Sequence, residues 1–212
     1  NDTYFVSSDD VITELLNEGT DLVVSANTFI LTDNLENLIL TGSSNIHGTG
    51  NSLANMITGN SGNNSLDGGL IATLAAYDTL IGGNGNDTYI VDNSGNSVGN
   101  SLKGAGGNDT FIGGQGDDTY VLSSGSETIV EYASEGTDLV MASGAGYALQ
   151  ANIENLELLG TAQTGIGNAV DNTLTGNDAN NSLDGGGGQD TLVGGSGNDT
   201  YVVDTTTDLI VD

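Results

Sequence analysis

The chain contains no cysteine, no proline and no tryptophan, and only one of its 212 residues is Lys or Arg. Without cysteine there is neither a disulfide framework nor a thiol site, so the redox compartment stays open. Aromatic residues make up 5% of the chain and hydrophobic residues 36%. A core built from so few large side chains must be thin and regular, which favours an elongated repeat over a globular enzyme domain.

The near absence of positive charge leaves a formal net charge of -28. Such a chain repels the phosphates of nucleic acids and the anionic surfaces of membranes, so nucleic acid is not an expected partner. No apolar run approaches the roughly 18 residues of a membrane span, so membrane insertion is not expected either. An acidic chain of this kind attracts multivalent cations.

Glycine, by contrast, is abundant, with 34 residues, and much of it falls in a nine-residue repeat. "GGNGNDTYI" begins at Gly82 and returns as "GGQGDDTYV" at Gly113 and "GGSGNDTYV" at Gly194, with looser copies at Gly104 and Gly185. The glycine density and the lack of 3.6-residue spacing exclude helix. Each unit is therefore predicted to be a tight turn followed by a very short strand.

Other units of the same length carry asparagine at position six, where the units above carry aspartate. These asparagines are Asn55, Asn64, Asn100, Asn172 and Asn181. The exchange removes charge from their turns, which are expected to bind a cation weakly or to form only stacked asparagine ladders.

A second repeat, of about 117 residues, contains the first. "EGTDLVVS" at Glu18 returns as "EGTDLVMA" at Glu135, and "NSLDGG" at Asn64 returns at Asn181. We expect one long copy over 1–117, with nonapeptide turns at 50–90 and 95–117, a second over 118–198, with turns at 167–198, and the start of a third at 199–212. Both ends are expected to be cut inside a repeat.

Two nine-residue units can form one coil, so that each unit lies directly beneath the unit two further on. This arrangement predicts an all-β fold, a parallel β-solenoid whose apolar position-eight residues form two thin interior columns. The residues named for these columns are Ile57, Leu66, Leu80, Tyr89, Leu102, Phe111 and Tyr120. The spacers over 3–42 and 119–160 have β-branched clusters between turn residues, and should continue the coil with longer turns.

In such a coil the aspartates at position six lie about 4.8 Å apart, one strand spacing. Two carboxylates at that distance repel by about 3 kcal/mol at an effective dielectric constant near 20. A cation bound between the two carboxylates makes the net interaction attractive. Calcium accepts six to eight oxygens in flexible geometry, which carboxylates and backbone carbonyls of adjacent turns can supply.

The three full units at Gly82, Gly113 and Gly194 resemble the glycine- and aspartate-rich nonapeptide of the RTX, or haemolysin-type, calcium-binding proteins. The resemblance implies a calcium-loaded β-roll that binds several Ca²⁺ ions, type I secretion and folding outside a bacterial cell. It also implies a ligand set of position-six aspartates and of carbonyls near turn glycines. The aspartates are Asp78, Asp87, Asp109, Asp118, Asp190 and Asp199, and the glycines are Gly83, Gly85, Gly114, Gly116, Gly195 and Gly197.

A disordered linker is a less favoured interpretation, because apolar residues at regular spacing indicate a folded core. When calcium is absent, however, disorder is expected. A phosphate-binding loop lacks the Gly-Lys-Ser/Thr signature. His47 is expected in a surface turn, and Lys103 in a solvated turn. Acidic pairs are too common for spacing to exclude a glycosidase-like dyad, but aromatic platforms for a sugar are missing, and the segment is not expected to be an enzyme.

Two functions fit these features. The first is a rigid extracellular scaffold in a fibre, matrix, surface layer or adhesin stalk. The second is a calcium-dependent secretion and folding module of a larger secreted hydrolase or cytolysin. We expect end-to-end or lateral self-association of the rods, and a bulge or chain contact formed by Leu70, Ile71, Leu74 and Tyr77.

Overall fold

The computed structural model describes residues 1–7, 10–16, 18–70, 77–92, 99–123 and 126–212. Within these residues the protein is all-β, with no helix, and it has 22 strands. In the same ranges no helix is long and apolar enough to cross a membrane. The strands are β1 Thr3–Val6, β2 Leu22–Ser25, β3 Phe29–Ile30, β4 Asn37–Leu40, β5 Gly48–Thr49, β6 Met56–Thr58, β7 Ser65–Leu70, β8 Thr79–Asn84, β9 Thr88–Asp92, β10 Ser101–Gly106, β11 Thr110–Ile112, β12 Thr119–Leu122, β13 Thr128–Val130, β14 Leu139–Ala142, β15 Gly146–Ala148, β16 Asn155–Leu158, β17 Thr164–Ile166, β18 Thr173–Thr175, β19 Ser182–Asp184, β20 Thr191–Val193, β21 Thr200–Val202 and β22 Leu209–Val211.

The strands form two facing walls. Wall one is a 12-stranded sheet in the order β1-β2-β4-β6-β8-β10-β12-β14-β16-β18-β20-β22. Wall two consists of a 6-stranded sheet, β3 to β13 in odd numbers, and a 4-stranded sheet, β15-β17-β19-β21. All neighbours pair in parallel, for example β8 with β10 and β9 with β11. The chain alternates between the walls, and the predicted parallel β-solenoid is thereby confirmed.

One inward residue of each coil stacks on its equivalent in the next coil. In wall one Ile57 pairs with Leu80, Leu80 with Leu102, and Leu102 with Tyr120. The seven predicted position-eight residues are all fully buried. The rings of Tyr89 and Phe111 stack with centroids 4.5 Å apart. Most strands thus bury one large side chain, which stabilises the coil by about 1.5–3 kcal/mol if fully buried.

Wall two departs from this stacking of large inward side chains in two places. Gly48 and Gly165 take the inward position, where a β-carbon would lie 3.0 Å from a methyl of Leu38 and 3.1 Å from a methyl of Leu156, respectively. Between β13 and β15 the ladder is replaced by Gln150, whose amide accepts the N–H of Ile129 at 2.7 Å and donates to a backbone carbonyl at 3.2 Å. The side-chain amide keeps the two sheets joined.

The spacers continue the coil as expected, because β1, β2 and β4, and likewise β12, β14 and β16, stand in register within wall one. The strand lengths differ from the expectation of three residues, since β7, β8 and β10 each have six and run on into the glycines of the following turn. The prediction for Lys103 is wrong in one respect. Lys103 is exposed, but it lies on β10 and pairs with Ile81, rather than in a turn.

Equivalent sequences at the two ends of the chain lie on opposite walls. "NDTYFV" leads into β1 in wall one, whereas "NDTYVV" leads into β21 in wall two. Within the long repeat, by contrast, β2 and β14 share wall one, as do β4 and β16. The short motif can therefore serve either wall, because both walls need the same turn, strand and inward apolar residue.

Candidate metal centre

The turns of the solenoid lie along two edges. The outgoing edge carries turns that lead from wall one to wall two, and the return edge carries turns that lead back. A polar residue stands directly before every strand except β15, which Ala145 precedes, and many of these residues form one column along each edge. The outgoing column contains Asn64, Asp87, Asp109, Asn181 and Asp199, and the return column contains Asp21, Glu36, Asn55, Asp78, Asn100, Asp118, Asp138, Glu154, Asn172, Asp190 and Asp208.

Hydrogen bonds connect neighbouring members of each column. The backbone N–H of Asn100 donates to Oδ1 of Asp118 at 2.6 Å, and the N–H of Asp118 donates to Oδ1 of Asp138 at 2.8 Å. On the outgoing edge the N–H of Asp87 donates to Oδ1 of Asp109 at 2.9 Å. Each carboxylate is thus held by its first oxygen against the backbone of the previous coil.

In seven of the nine aspartates of these columns the second oxygen is buried and, within the described part of the chain, has no hydrogen-bond partner. The atoms concerned include Oδ2 of Asp21, Asp78, Asp87, Asp109, Asp118, Asp190 and Asp199, and Oε2 of Glu131. A buried charged oxygen without a partner costs several kcal/mol, so native proteins compensate it by protonation or by a cation. All six sequence-predicted aspartates belong to this group.

Burial is the main reason why the pKa values of these carboxyl groups are raised. It raises the pKa of Asp109 to about 6, that of Asp78 to about 7 and that of Asp118 to about 8. The pKa of Asp87 is also raised by burial. The chain offers little positive charge in return, since Lys103, its one Lys or Arg, is exposed on β10. The columns therefore favour protons or an added cation.

Glycine at position one makes room for the second oxygen. A β-carbon on Gly82 would overlap Oδ2 of Asp87 and the hydroxyl of Tyr89. The same holds for Gly194, where a β-carbon would overlap Oδ2 of Asp199. The space beside each buried carboxylate is thus open only because the first residue of the unit lacks a side chain.

The six predicted turn glycines all have positive φ. At position two these angles are 92° at Gly83, 73° at Gly114 and 89° at Gly195, and at position four they are 117° at Gly85, 121° at Gly116 and 128° at Gly197. Residues with a β-carbon rarely adopt such conformations. The alternation of glycines in the aspartate units is therefore a requirement of the turn backbone.

In the asparagine turns, the side-chain amides make hydrogen bonds to the backbone of the same turn and of the neighbouring coil. In the turn 59–64, Oδ1 of Asn64 accepts the N–H of Asn60 at 2.8 Å, and Nδ2 of Asn64 donates to the carbonyl of Ile46 at 2.7 Å. The amide of Asn60 donates to the carbonyls of Thr41 at 3.1 Å and Ser44 at 3.0 Å. An amide nitrogen here contacts backbone oxygens of the neighbouring coil, so the turn needs no cation.

Three other asparagine turns repeat this geometry, whereas the amide of Asn100 donates to Oδ1 of Asp118 at 2.9 Å. Asn51 and Asn55 form the same pair in the turn 50–55, Asn168 and Asn172 in 167–172, and Asn177 and Asn181 in 176–181. In each, the position-two asparagine also accepts the N–H two residues on, a local turn that asparagine favours. These asparagine pairs lie within single turns, and in the adjacent coil Asn55 contacts Asp78 and Asn172 contacts Asp190. Weak cation binding or asparagine ladders at these turns therefore stay predictions.

Asparagine and aspartate turns of adjacent coils are in contact. The N–H of Asn64 donates to Asp87 at 2.7 Å, and the N–H of Asn181 donates to Asp199 at 2.7 Å. Asp87 also meets a second aspartate, Asp109, on its other side. The neighbours of a given aspartate therefore include both amides and carboxylates.

Sequence reasoning missed five acidic members of the return column. Asp21 and Asp138 come from the two "EGTD" motifs, Glu36 and Glu154 from the two "ENL" motifs, and Asp208 from the last turn. Each stands directly before a strand, as position six does in the nonapeptide. That signal was present in the sequence, but the units lack the leading glycine by which position six was counted.

The comparison with known proteins agrees with this geometry. A family model for the RTX calcium-binding nonapeptide repeat matches four copies, at residues 49–70, 71–93, 94–129 and 166–201. Together these ranges cover more than half of the chain, which therefore belongs to the RTX calcium-binding nonapeptide repeat family. No significant match was found among curated proteins or among solved structures.

Family and structure together define a calcium-binding repeat segment that forms a β-solenoid. The matched repeat is a structural, calcium-binding unit. The residues present fit the ion, because hard oxygen donors with no partner face space that a β-carbon would fill. Calcium bound there would supply positive charge to carboxylates that otherwise repel each other.

Proposed function

We propose that this segment is a rigid extracellular scaffold whose coils are held together by calcium, as in a fibre, matrix, surface layer or adhesin stalk. The observation that carries the proposal is the double column of buried carboxylate oxygens that have no hydrogen-bond partner among the described residues, in a chain with one Lys or Arg. Repulsion along the columns opposes the fold until a divalent cation binds. Order would then depend on the high calcium concentration outside the cell.

The metal ligands in this proposal are the six aspartates named from the sequence. Asp78, Asp118 and Asp190 act on the return edge, and Asp87, Asp109 and Asp199 act on the outgoing edge. Backbone carbonyls near the position-two and position-four glycines, Gly83, Gly85, Gly114, Gly116, Gly195 and Gly197, complete the oxygen set. The asparagine turns remain without metal.

Rigidity is supported by the continuity of wall one. Its 12 parallel strands run through the whole segment, and at roughly 4.8 Å per strand they extend over about 50 Å. Residues in each coil contact mainly the adjacent coils, so a long array behaves as a one-dimensional stack. The long copies at 1–117, 118–198 and 199–212 would be successive lengths of such a rod, joined covalently or by end-to-end association.

Secretion in an unfolded state and folding outside a bacterial cell are part of the same proposal, because the uncompensated columns disfavour folding where calcium is scarce. The same property supports the second function, a calcium-dependent secretion and folding module of a larger secreted hydrolase or cytolysin. In neither function does the segment itself carry out a reaction. The two differ in the length of the assembled array.

Circular dichroism and electron microscopy of the purified segment test the proposal. With millimolar calcium we expect a β signal and rods, and with excess chelator we expect a largely unfolded chain. An equal β signal in chelator would overturn the proposed role of calcium. Separate short particles that never join at high calcium and high protein concentration would favour the secretion module over the scaffold.

A further inference from the structure

The return edge contains a group of three carboxylates that extends beyond the nonapeptide motif. Oxygens of Asp118, Glu131 and Asp138 all lie within 4.8 Å of one another. Only Asp118 belongs to a nonapeptide unit. Glu131 follows β13 and Asp138 precedes β14, so both come from the spacer that contains "EGTD". The chain thus brings spacer carboxylates onto a repeat aspartate.

The three carboxylates are buried, and two of them have an oxygen without a hydrogen-bond partner among the described residues. Asp118 is 1% exposed, Glu131 7% and Asp138 1%. Oδ2 of Asp118 and Oε2 of Glu131 have no hydrogen-bond partner in the described part of the chain. The space beside them exists because residue 113 is glycine, since a β-carbon there would lie 2.5 Å from Oδ2 of Asp118 and 2.6 Å from Oε1 of Glu131.

The surrounding contacts fix Glu131 in place. The hydroxyl of Tyr120 donates to its Oε1, and the amide of Asn152 donates to its backbone carbonyl at 2.9 Å. The N–H of Tyr132 is capped by Glu135 at 2.8 Å, which shapes the turn that follows. Glu131 therefore enters the cluster from a defined turn, with one oxygen held by a tyrosine and the other unpaired.

The same arrangement occurs a second time, one long repeat earlier. Asp2, Glu14 and Asp21 form a cluster of the same dimensions. The hydroxyl of Tyr4 donates to Oε2 of Glu14 at 2.6 Å, and the amide of Asn34 donates to its backbone carbonyl at 3.0 Å. Oδ2 of Asp21 is buried and has no hydrogen-bond partner in the ranges that the structure describes. Because tyrosine, glutamate, aspartate and asparagine recur together, the cluster is a repeated unit of the fold.

We propose that Asp118, Glu131 and Asp138, and likewise Asp2, Glu14 and Asp21, form a second type of calcium site, built jointly by a nonapeptide turn or its equivalent and the glutamate and "EGTD" aspartate of the spacer. A hard divalent ion suits a group of three carboxylates. In the second cluster the N-terminal ammonium lies 3.5 Å from Oδ1 of Asp21, but Oδ2 of Asp21 has no hydrogen-bond partner among the described residues. Such sites would continue the calcium columns through the spacers, which the nonapeptide alone leaves unbridged. This inference rests on the proposed calcium function and extends it to residues outside the motif.

The number of calcium ions bound per folded chain tests this inference. Glu131→Gln should bind one ion fewer than the wild type, and Glu14→Gln with Glu131→Gln should bind two fewer, as measured by equilibrium dialysis and elemental analysis. Glutamine keeps an oxygen that can accept the tyrosine hydroxyl, so the turn should persist. Glu157→Gln, which removes one charge from β16 away from the cluster, is the matched control and should keep the full number.

Terbium luminescence gives a second measurement that does not depend on removing a carboxylate. Since the chain has no tryptophan, bound terbium is excited through nearby tyrosines. Tyr120→Phe should lower the emission, whereas Tyr147→Phe should leave it unchanged, because the Tyr147 hydroxyl lies near the Gln150 amide at 3.5 Å.

The outcomes separate the two proposals. Wild-type protein that takes up no calcium would overturn the calcium function as a whole. Normal loading of the wild type, with the ion number unchanged in both glutamate variants and emission unchanged in Tyr120→Phe, would overturn only the spacer site. If Glu131→Gln does not fold, the ion number of Glu14→Gln decides, because the cluster of Asp2, Glu14 and Asp21 contains none of the six nonapeptide aspartates. One ion fewer supports the site, and an unchanged ion number overturns it.

Discussion

The backbone N–H of Asp87 donates to Oδ1 of Asp109 at 2.9 Å, while Oδ2 of both carboxylates is buried without a hydrogen-bond partner in the described residues. One oxygen of each side chain thus accepts a hydrogen bond that stabilises the solenoid, whereas the buried, unpartnered second oxygen destabilises it. The same side chain both holds the coil together and creates the demand for a cation. Mutations in the column should therefore affect stability differently with and without calcium.

Replacement of Asp87 should have a local effect. With calcium present, Asp87→Ala should bind fewer ions and leave the N–H of Asn64, which now donates to Asp87 at 2.7 Å, without a partner. A buried donor left unpaired costs about 1–3 kcal/mol. Hydrogen exchange should show lost protection in β7, β9 and β11, whereas β18 and β20 stay protected, because each coil contacts mainly its neighbours.

The control for this variant is Asp33→Ala, which removes an exposed turn aspartate. It should leave the ion number and the exchange pattern unchanged. Uniform loss of protection throughout Asp87→Ala would show that the segment unfolds as one unit, and would contradict the local model.

Glycine at position one should be essential, in contrast to glycine at an open position. A β-carbon on Gly82 would overlap both the Asp87 carboxylate and the Tyr89 hydroxyl, whereas at Gly187 the nearest atom would be 3.8 Å away. Gly82→Ala should destabilise the calcium-loaded fold by about 1–3 kcal/mol, as overpacking does, and raise the calcium concentration needed for folding. Gly187→Ala should change neither quantity. Equal calcium titrations for the two variants would argue against a space reserved for the carboxylate.

Much of the fold was predictable because the period of nine residues fixes the pairing. Once two units make a coil, the partners of Leu80 and Tyr89 follow by counting, and their burial follows from position eight. The side-chain bridge of Gln150 was not predictable, since it depends on where the ladder of wall two fails. The inward glycines, Gly48 and Gly165, were likewise hidden, because they leave space for leucines of the facing wall, and only the folded coil shows which side chains meet there.

The metal centre was predicted only where the motif was complete. Asp87 and Asp118 follow recognisable glycine pairs, but Glu131 and Asp138 are separated by six residues and are brought together only by the turn between them. The prediction that the segment from Gly68 to Gly83 forms a bulge stays largely untested. Ile71, Leu74 and the side chain of Leu70 lie outside the described residues, and Tyr77 is 58% exposed.

Conversion of an aspartate turn into an asparagine turn should lower the demand for calcium. Gly83→Asn with Asp87→Asn changes "GGNGND" to "GNNGNN", which matches the pattern of "GNSGNN" at 59–64. If the two new amides form the hydrogen bonds of Asn60 and Asn64, each net bond contributes about 0.5–1.5 kcal/mol. The double variant should then fold at lower calcium than Asp87→Asn alone, as followed by circular dichroism.

Gly83→Asn alone is the control for this conversion. Its β-carbon would lie 2.5 Å from the carbonyl oxygen of Asn60 in the present backbone, where φ is 92°, and it should raise the demand for calcium. A double variant that needs as much calcium as this control would show that the amide pair cannot rebuild the turn at this position.

Protonation of the buried carboxylates at low pH should partly replace calcium in stabilising the fold. The folded pKa of Asp109 is about 6, that of Asp78 about 7 and that of Asp118 about 8, all above the value of about 3.9 for an unfolded aspartate. The folded state therefore binds more protons than the unfolded state, so its stability is greatest below about pH 4 and is lost as pH rises through about 6 to 8. Calcium-free protein should gain β signal in circular dichroism as pH falls from 8 to 4. At saturating calcium the trend should reverse, because the ion needs deprotonated carboxylates. A calcium-free β signal that falls on acidification would refute the idea that buried carboxylate charge is what keeps the apo segment unfolded.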